Sequence, residues 1–286
     1  VVNTQEISAN GFRFTVDLAG EAGAPLVLLL HGFPQTRHTW RHELPALAAA
    51  GYRAAAPDQR GYSPGARPSG VANYGEGALL ADALALADAL QAPRFHLVGH
   101  DWGGQLAWLL AVRHPARVRT LAVLSRPHPA AFAEAMKSDS AQSERSKHHR
   151  AFQDPKTADL LLEHGARRLR GMLRAQGVPD ADIDAYLTPL GGRDALDAAL
   201  NWYRAAFDGA SALALKDLPP ARVPTLFVWG DADATVGRIA AEVTREHVAA
   251  PYRFVVVPGA GHFITDQQPG AVTKALLAHL AEHARA

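Results

Sequence analysis

Residues 94–114, RFHLVGHDWGGQLAWLLAVRH, constrain the fold more than any other stretch of the chain. An apolar run leads into Gly99-His100-Asp101-Trp102-Gly103, and a helical pattern follows until Pro115 stops it. A strand that turns sharply into a helix is half of a parallel βα unit. Glycines on both sides of Asp101 permit a strained turn and close helix packing, and the turn lifts the central side chain above the carboxyl edge of the sheet. The bland alternative is an Asp that caps the following helix. A cap, however, does not need paired glycines on a strand-to-helix elbow.

The rest of the chain supplies matching units. Short apolar runs at 25–32 (PLVLLLHG), 52–58 (YRAAAPD), 118–125 (VRTLAVLS), 223–231 (VPTLFVWGD) and 252–259 (YRFVVVPG) read as strands. Continuous rather than alternating apolar character predicts burial on both faces, as in a parallel sheet. Helical patterns at 75–91, 103–114 and 270–284 lie between or after them. The class is therefore α/β with a mostly parallel central sheet flanked by helices. Asn10-Gly11 signals an N-terminal hairpin of antiparallel edge strands. The alternation breaks between about Pro127 and Arg222, where residues of helical spacing are interrupted at Pro155, Gly177-Val178-Pro179 and Pro189-Leu190-Gly191-Gly192. That stretch is too long for a plain loop. It predicts a helical cap over 127–221 inserted into a core formed by 1–126 and 222–286.

Composition removes several classes of function. A net charge of +1 gives no electrostatic footprint for nucleic acid or an anionic membrane. No apolar run reaches the roughly 18 residues of a membrane span. The chain has no cysteine, so disulfides, thiolate metal sites and a Cys nucleophile are excluded. This fits a reducing compartment, and a cytoplasmic location is expected. The N-terminal segment is too polar for a signal peptide, although a first residue of Val1 leaves open a leader removed earlier. The chain is expected to be a monomer or homodimer. His38 and His42 are spaced i, i+4, but Thr39 stands where a zinc-binding H-E-x-x-H needs Glu. Adjacent His148 and His149 cannot both face one point on a helix. No metal and no cofactor are expected. The basic run at 144–150 (ERSKHHR) reads as a solvated helix face.

The chemistry centres on Asp101. WGDAD ends one strand at Asp233, and GAGHF follows the next with His262, giving the order nucleophile, acid, histidine. Asp231 competes with Asp233 for the acid role; Asp233 sits further into the loop, and Asp231 would cap or brace the turn. HGFPQT at 31–36 follows the first parallel strand, so the backbone N–H groups of Phe33 and Trp102 would form an oxyanion hole. A serine attacking an sp³ carbon would leave an ether, which is a dead end. A carboxylate leaves an ester, which activated water can hydrolyse at its carbonyl. Asp101 therefore points to epoxides or alkyl halides and away from ordinary carboxylesters.

Together HGFP, GHDWGG, GDAD and GHF resemble the epoxide hydrolases of the α/β-hydrolase superfamily, over about residues 20–126 and 222–286. The resemblance implies a small-molecule epoxide as substrate and water as the second substrate. It also implies two cap side chains that bind and protonate the epoxide oxygen. LNWYRA at 200–205 matches one such motif and makes Tyr203 the first. RSKHHRAF at 145–152 places His148 where the second tyrosine usually stands, a departure that some family members share as a His/Tyr pair. Phe33, Trp102, Tyr203 and His148 are then the substrate-binding set. Trp40 is read chiefly as core packing. Haloalkane dehalogenases share the Asp-Trp elbow but need a second halide donor. Phe33 occupies the place of their Asn, which leaves Trp202 as a substitute. Fluoroacetate dehalogenases share HGFPQT but carry Arg where this chain has Trp102 and Gln105. A non-catalytic small-molecule binder of the same fold is the remaining alternative.

Overall fold

The computed structural model describes residues 1–206 and 218–284. Eight strands form one sheet: β1 (Asn3–Ala9), β2 (Phe12–Ala19), β3 (Leu26–Leu30), β4 (Arg53–Pro57), β5 (Phe95–His100), β6 (Val118–Leu124), β7 (Thr225–Gly230) and β8 (Tyr252–Val257). Their spatial order is β1-β2-β4-β3-β5-β6-β7-β8. β1 pairs antiparallel with β2, and β2 antiparallel with β4. All remaining pairs are parallel. The hairpin turns at Asn10 and Gly11, both at positive φ (48° and 78°), as a two-residue turn between twisted strands requires.

The continuous apolar runs contain a period of two. Along β3, Leu28 and Leu30 face one core layer, while Val27 and Leu29 face the other. In β7, Phe227 and Trp229 go one way and Leu226 and Val228 the other. The first layer is covered by the helices Glu76–Ala89 and Trp102–Arg113 and is continuous with apolar residues of the insertion. Trp40, Leu44, Val272 and Leu276 complete the second layer, so Trp40 is core. β3 and β7 are thus buried at every position because helices cover both faces.

Between β6 and β7 the described residues hold six helices and no strand: Pro129–Ser138, Ser140–Arg145, His148–Ala151, Thr157–Ala175, Asp180–Leu190 and Arg193–Ala206. Thr157–Ala175 is kinked, with His164, Gly165 and Ala166 in left-handed conformations. Asp180–Leu190 continues through Pro189 and ends at Gly191, because a proline in the last turn removes only one ladder bond. No described helix is long and apolar enough to cross a membrane.

The sheet order already points to a site. From β3 the chain crosses to β4 on one side and later returns to β5 on the other. Such a reversal opens a crevice at the carboxyl ends of the two central strands. The loop after β3 carries Gly32 and Phe33, and the turn after β5 carries Asp101.

Candidate active site

Asp101 lies at φ 51°, ψ −117°, between β5 and the helix that begins at Trp102. A non-glycine residue in this region is strained, and surrounding packing must hold it there. Part of that packing is an unusually close approach of helix to sheet. A Cβ on Gly103 would stand 2.1 Å from the carbonyl oxygen of Leu30, so the first turn of the helix can rest on β3 only with glycine there.

Loops from three strand ends meet around the Asp101 carboxylate. Oδ1 accepts from the Phe33 backbone N–H at 3.0 Å. Oδ2 lies 3.3 Å from His262 Nε2. His262 Nδ1 is 2.9 Å from Asp233 Oδ2. Asp233 Oδ1 in turn accepts from the N–H groups of Thr235 (2.7 Å) and Val236 (2.9 Å), which fix its orientation. Asp231 does not join this chain of contacts; its Oδ1 accepts from Gly259 N–H at 2.7 Å and braces the turn after β8. Trp102 is the first residue of its helix, so its N–H is among those without a partner inside the helix.

These distances set the charges. Burial works against an ionised Asp101, but the hydrogen bond and positive charge of His262, with smaller help from Phe33 N–H, hold its carboxyl well below the usual range. For His262 burial favours the neutral ring, yet Asp233 and Asp101 outweigh it and push the pKa up to about 10. At neutral pH an Asp101 carboxylate therefore faces a His262 imidazolium.

A cavity of about 220 Å³ opens above Asp101 and His262, lined also by Phe33, His148, Phe152, Tyr203 and Phe263. Tyr203 is buried, with its ring 5.5 Å from Phe33, 5.0 Å from Trp102 and 4.9 Å from Phe152. Burial and the Asp101 charge push its phenol well above the ordinary value, with the Trp102 indole opposing the shift. It stays a proton donor. His148 lines the same cavity, and its Nδ1 bonds Arg145 O at 3.0 Å. His149 lies behind it, with its ring 5.8 Å from Tyr203. Burial, then the neighbouring charges, pull His149 down to about 3. Trp102, expected on the cavity wall, stands behind Tyr203 and against Trp202.

Several residues that the sequence left unassigned support this arrangement. His100 is fully buried, with Nε2 2.8 Å from the His262 carbonyl. Burial and the His262 charge hold it near 4, so it is neutral and donates that bond. His31 accepts from Gln59 N–H at Nε2 (3.1 Å) and therefore donates from Nδ1 to Gly32 O (3.0 Å), bracing the loop of Phe33. Gln35 donates to Asp266 at 2.9 Å, tying that loop to the one after His262. Asp266 also accepts from Arg41 (2.8 Å) and Tyr186 (2.6 Å), the latter on an insertion helix. His31, Gln35 and His100 all lie inside the motifs quoted above. Only their positions in the sequence hinted at these roles. His38, considered above as a zinc ligand, pairs with Asp182 at 2.8 Å.

The fold and the row of charges at its switch point define an α/β hydrolase, and residues 25–269 match the family model described as alpha/beta hydrolase fold. Epoxide hydrolase A of Mycobacterium tuberculosis is 36% identical, covering 96% of each chain. Epoxide hydrolase 4 of Mus musculus is 34% identical over 98% of this chain and 79% of its own length. The crystal structure of epoxide hydrolase A from Mycobacterium thermoresistibile superposes with a TM-score of 0.86 at 31% identity, covering 98% of each chain. The chain belongs to the epoxide hydrolase family of the α/β-hydrolase fold.

Proposed function

We propose that the protein hydrolyses small-molecule epoxides to vicinal diols through an ester on Asp101, in a cleft between a core of residues 1–126 and 222–286 and a cap of residues 127–221. One observation carries this reading: an ionised elbow carboxylate faces Tyr203 across one cavity and touches a histidine held by a second carboxylate. Asp101 Oδ2 attacks a ring carbon, a C–O bond forms, and the ring C–O bond breaks. The electron pair goes to the epoxide oxygen, which takes the Tyr203 proton, with His148 as the second donor. Oδ1 remains the ester carbonyl and already accepts the Phe33 N–H.

Ester formation removes the Asp101 charge, one of the two that hold the proton on His262. The imidazolium then gives its proton to the Tyr203 phenolate and becomes a base. It deprotonates water, and hydroxide attacks the ester carbonyl. The Phe33 and Trp102 N–H groups stabilise the resulting oxyanion. Departure of the diol restores the carboxylate and the imidazolium, so protons balance over the cycle. No metal or cofactor takes part in these steps.

A dehalogenase needs a second halide donor. Trp202 Nε1–H already donates to Arg60 O at 2.8 Å, and the Phe33 side chain has no donor, which favours the epoxide reading. The test is a single turnover in heavy-oxygen water. The first diol should carry unlabelled oxygen from Asp101, whereas full solvent label in that turnover would exclude the ester.

A further inference from the structure

His148 lines the cavity with one of its two ring nitrogens already engaged. Its Nδ1 lies 3.0 Å from the Arg145 carbonyl oxygen. A carbonyl oxygen only accepts, so Nδ1 carries a proton and donates it in this bond. A neutral imidazole has one N–H, which leaves Nε2 as an acceptor. The epoxide oxygen is an acceptor too. A neutral His148 held in this way therefore has no proton to give to ring opening. Protonation at Nε2 supplies one and leaves the Arg145 bond intact. Burial pulls His148 below its ordinary value; Asp101 and the Arg145 carbonyl oppose the shift, and the charges of His262 and Arg126 add to it. His149, with its ring 4.4 Å away, is neutral. Arg145 lines the same cavity and donates from Nη1 to the Asp233 carbonyl at 2.8 Å, while Glu144 and Lys147 pair with each other at the surface. At neutral pH the His148 ring is thus neutral, and it gains its second proton as pH falls.

We propose that His148 opens the epoxide only as an imidazolium, donating from Nε2 to the epoxide oxygen while its Nδ1–H stays on the Arg145 carbonyl. Asp101 Oδ2 bonds to the ring carbon, the ring C–O bond breaks, and the epoxide oxygen takes the Nε2 proton. The positive charge of His148 and the negative charge of Asp101 are consumed together. His262 then returns its own proton to Nε2 through water, where in the other route it goes to the Tyr203 phenolate, and becomes the base for ester hydrolysis. Tyr203 is the donor at neutral pH, and His148 joins it on the acid side. This inference rests on the covalent reading above.

Rapid quenching with mass spectrometry follows alkylation of Asp101 by propylene oxide between about pH 7.5 and pH 5, the range in which a histidine somewhat below ~6.5 gains its proton. Over that range Asp101 stays ionised while His262 and Tyr203 stay protonated, so none of them alters the rate of this step. In the parent, alkylation should speed up roughly tenfold as pH falls and then level off. Tyr203→Phe, with His148 left as the donor, should be slower throughout and rise by a larger factor. His148→Phe should show no rise. His148→Tyr, whose phenol keeps its proton over the whole range, should alkylate at a rate independent of pH. Nitrogen NMR of the parent's sequentially assigned histidine rings is a second measure that needs no variant: the neutral His148 ring should carry its proton on Nδ1, and Nε2 should gain one over the pH range in which alkylation accelerates. A neutral ring protonated on Nε2, a parent alkylation rate that is flat or falls with falling pH, or a rise that survives His148→Phe would overturn the proposal. Solvent label in the first diol of the parent enzyme would instead remove the covalent reading, whatever the pH profile.

Discussion

Gly32→Ala changes no titratable group and yet should disable the site. Gly32 has no positive φ, so alanine suits its backbone. The obstacle is space: the new methyl carbon would lie 2.3 Å from Asp101 Oδ1, 2.4 Å from its Cβ and 2.7 Å from its Cγ. Ordinary contact begins near 3.4 Å, so the carboxylate or the loop must move by about 1 Å. Asp101 stands on a strained elbow with its helix seated on β3, so the backbone has little freedom to yield. The side chain would leave its rotamer, at about 0.5–1.5 kcal/mol, and the charged Phe33 N–H bond would weaken, at about 1.5–3 kcal/mol. The unfolding temperature should drop by roughly 4–18 °C, at ~2–4 °C per kcal/mol for a chain of this size. The loss of rate should be larger, about 10²-fold, because a displacement of ~1 Å spoils in-line attack. Thermal unfolding and single-turnover alkylation of Asp101 measure the two effects. A Gly32→Ala protein that alkylates at the parent rate would refute the argument that this glycine exists to seat the carboxylate.

His262→Gln should still be alkylated and then stall, leaving an adduct on Asp101 that mass spectrometry detects; normal turnover would remove His262 as the base. Tyr203→Phe should slow alkylation by roughly 10²–10³-fold, as loss of an oxyanion donor does, with little effect on ester hydrolysis. His148→Phe should slow the same step more than His149→Phe, because only His148 lines the cavity; equal losses in pre-steady-state kinetics would show that the two histidines have been assigned the wrong way round. Stability should also respond to pH. The folded state raises His262 from 6.5 to about 10, so its contribution is complete below the unfolded value and is lost as pH rises through about 10. Asp101 is shifted down, so its contribution is present above the unfolded value and is lost as pH falls. Thermal unfolding of the parent should therefore weaken between pH 7 and 10 more than that of His262→Gln; parallel curves would contradict the assigned charge.

The sequence alone determined what depends on neighbours along the chain. Apolar runs such as LVLLL make strands because burial on both faces demands it, and paired glycines mark the elbow because only they let helix and sheet approach so closely. The carboxylate at that elbow, on which the proposed ester route rests, is likewise read from consecutive residues. Tertiary structure decided what depends on distance through space. Asp231 and Asp233 end the same strand, and only the turn geometry sends one to Gly259 and the other to His262. Trp202 has a donor in the sequence, but Arg60 occupies it in the fold. Arg126 reads as an ordinary charged residue until the fold sets its guanidinium beside the Trp102 ring and gives its Nε–H to Gln105. The His262 charge has the same origin: it requires carboxylates 29 and 161 residues away to converge on one imidazole. Local sterics and apolar patterning are written in consecutive residues, whereas Coulomb attraction and desolvation depend on separations that only the folded chain creates.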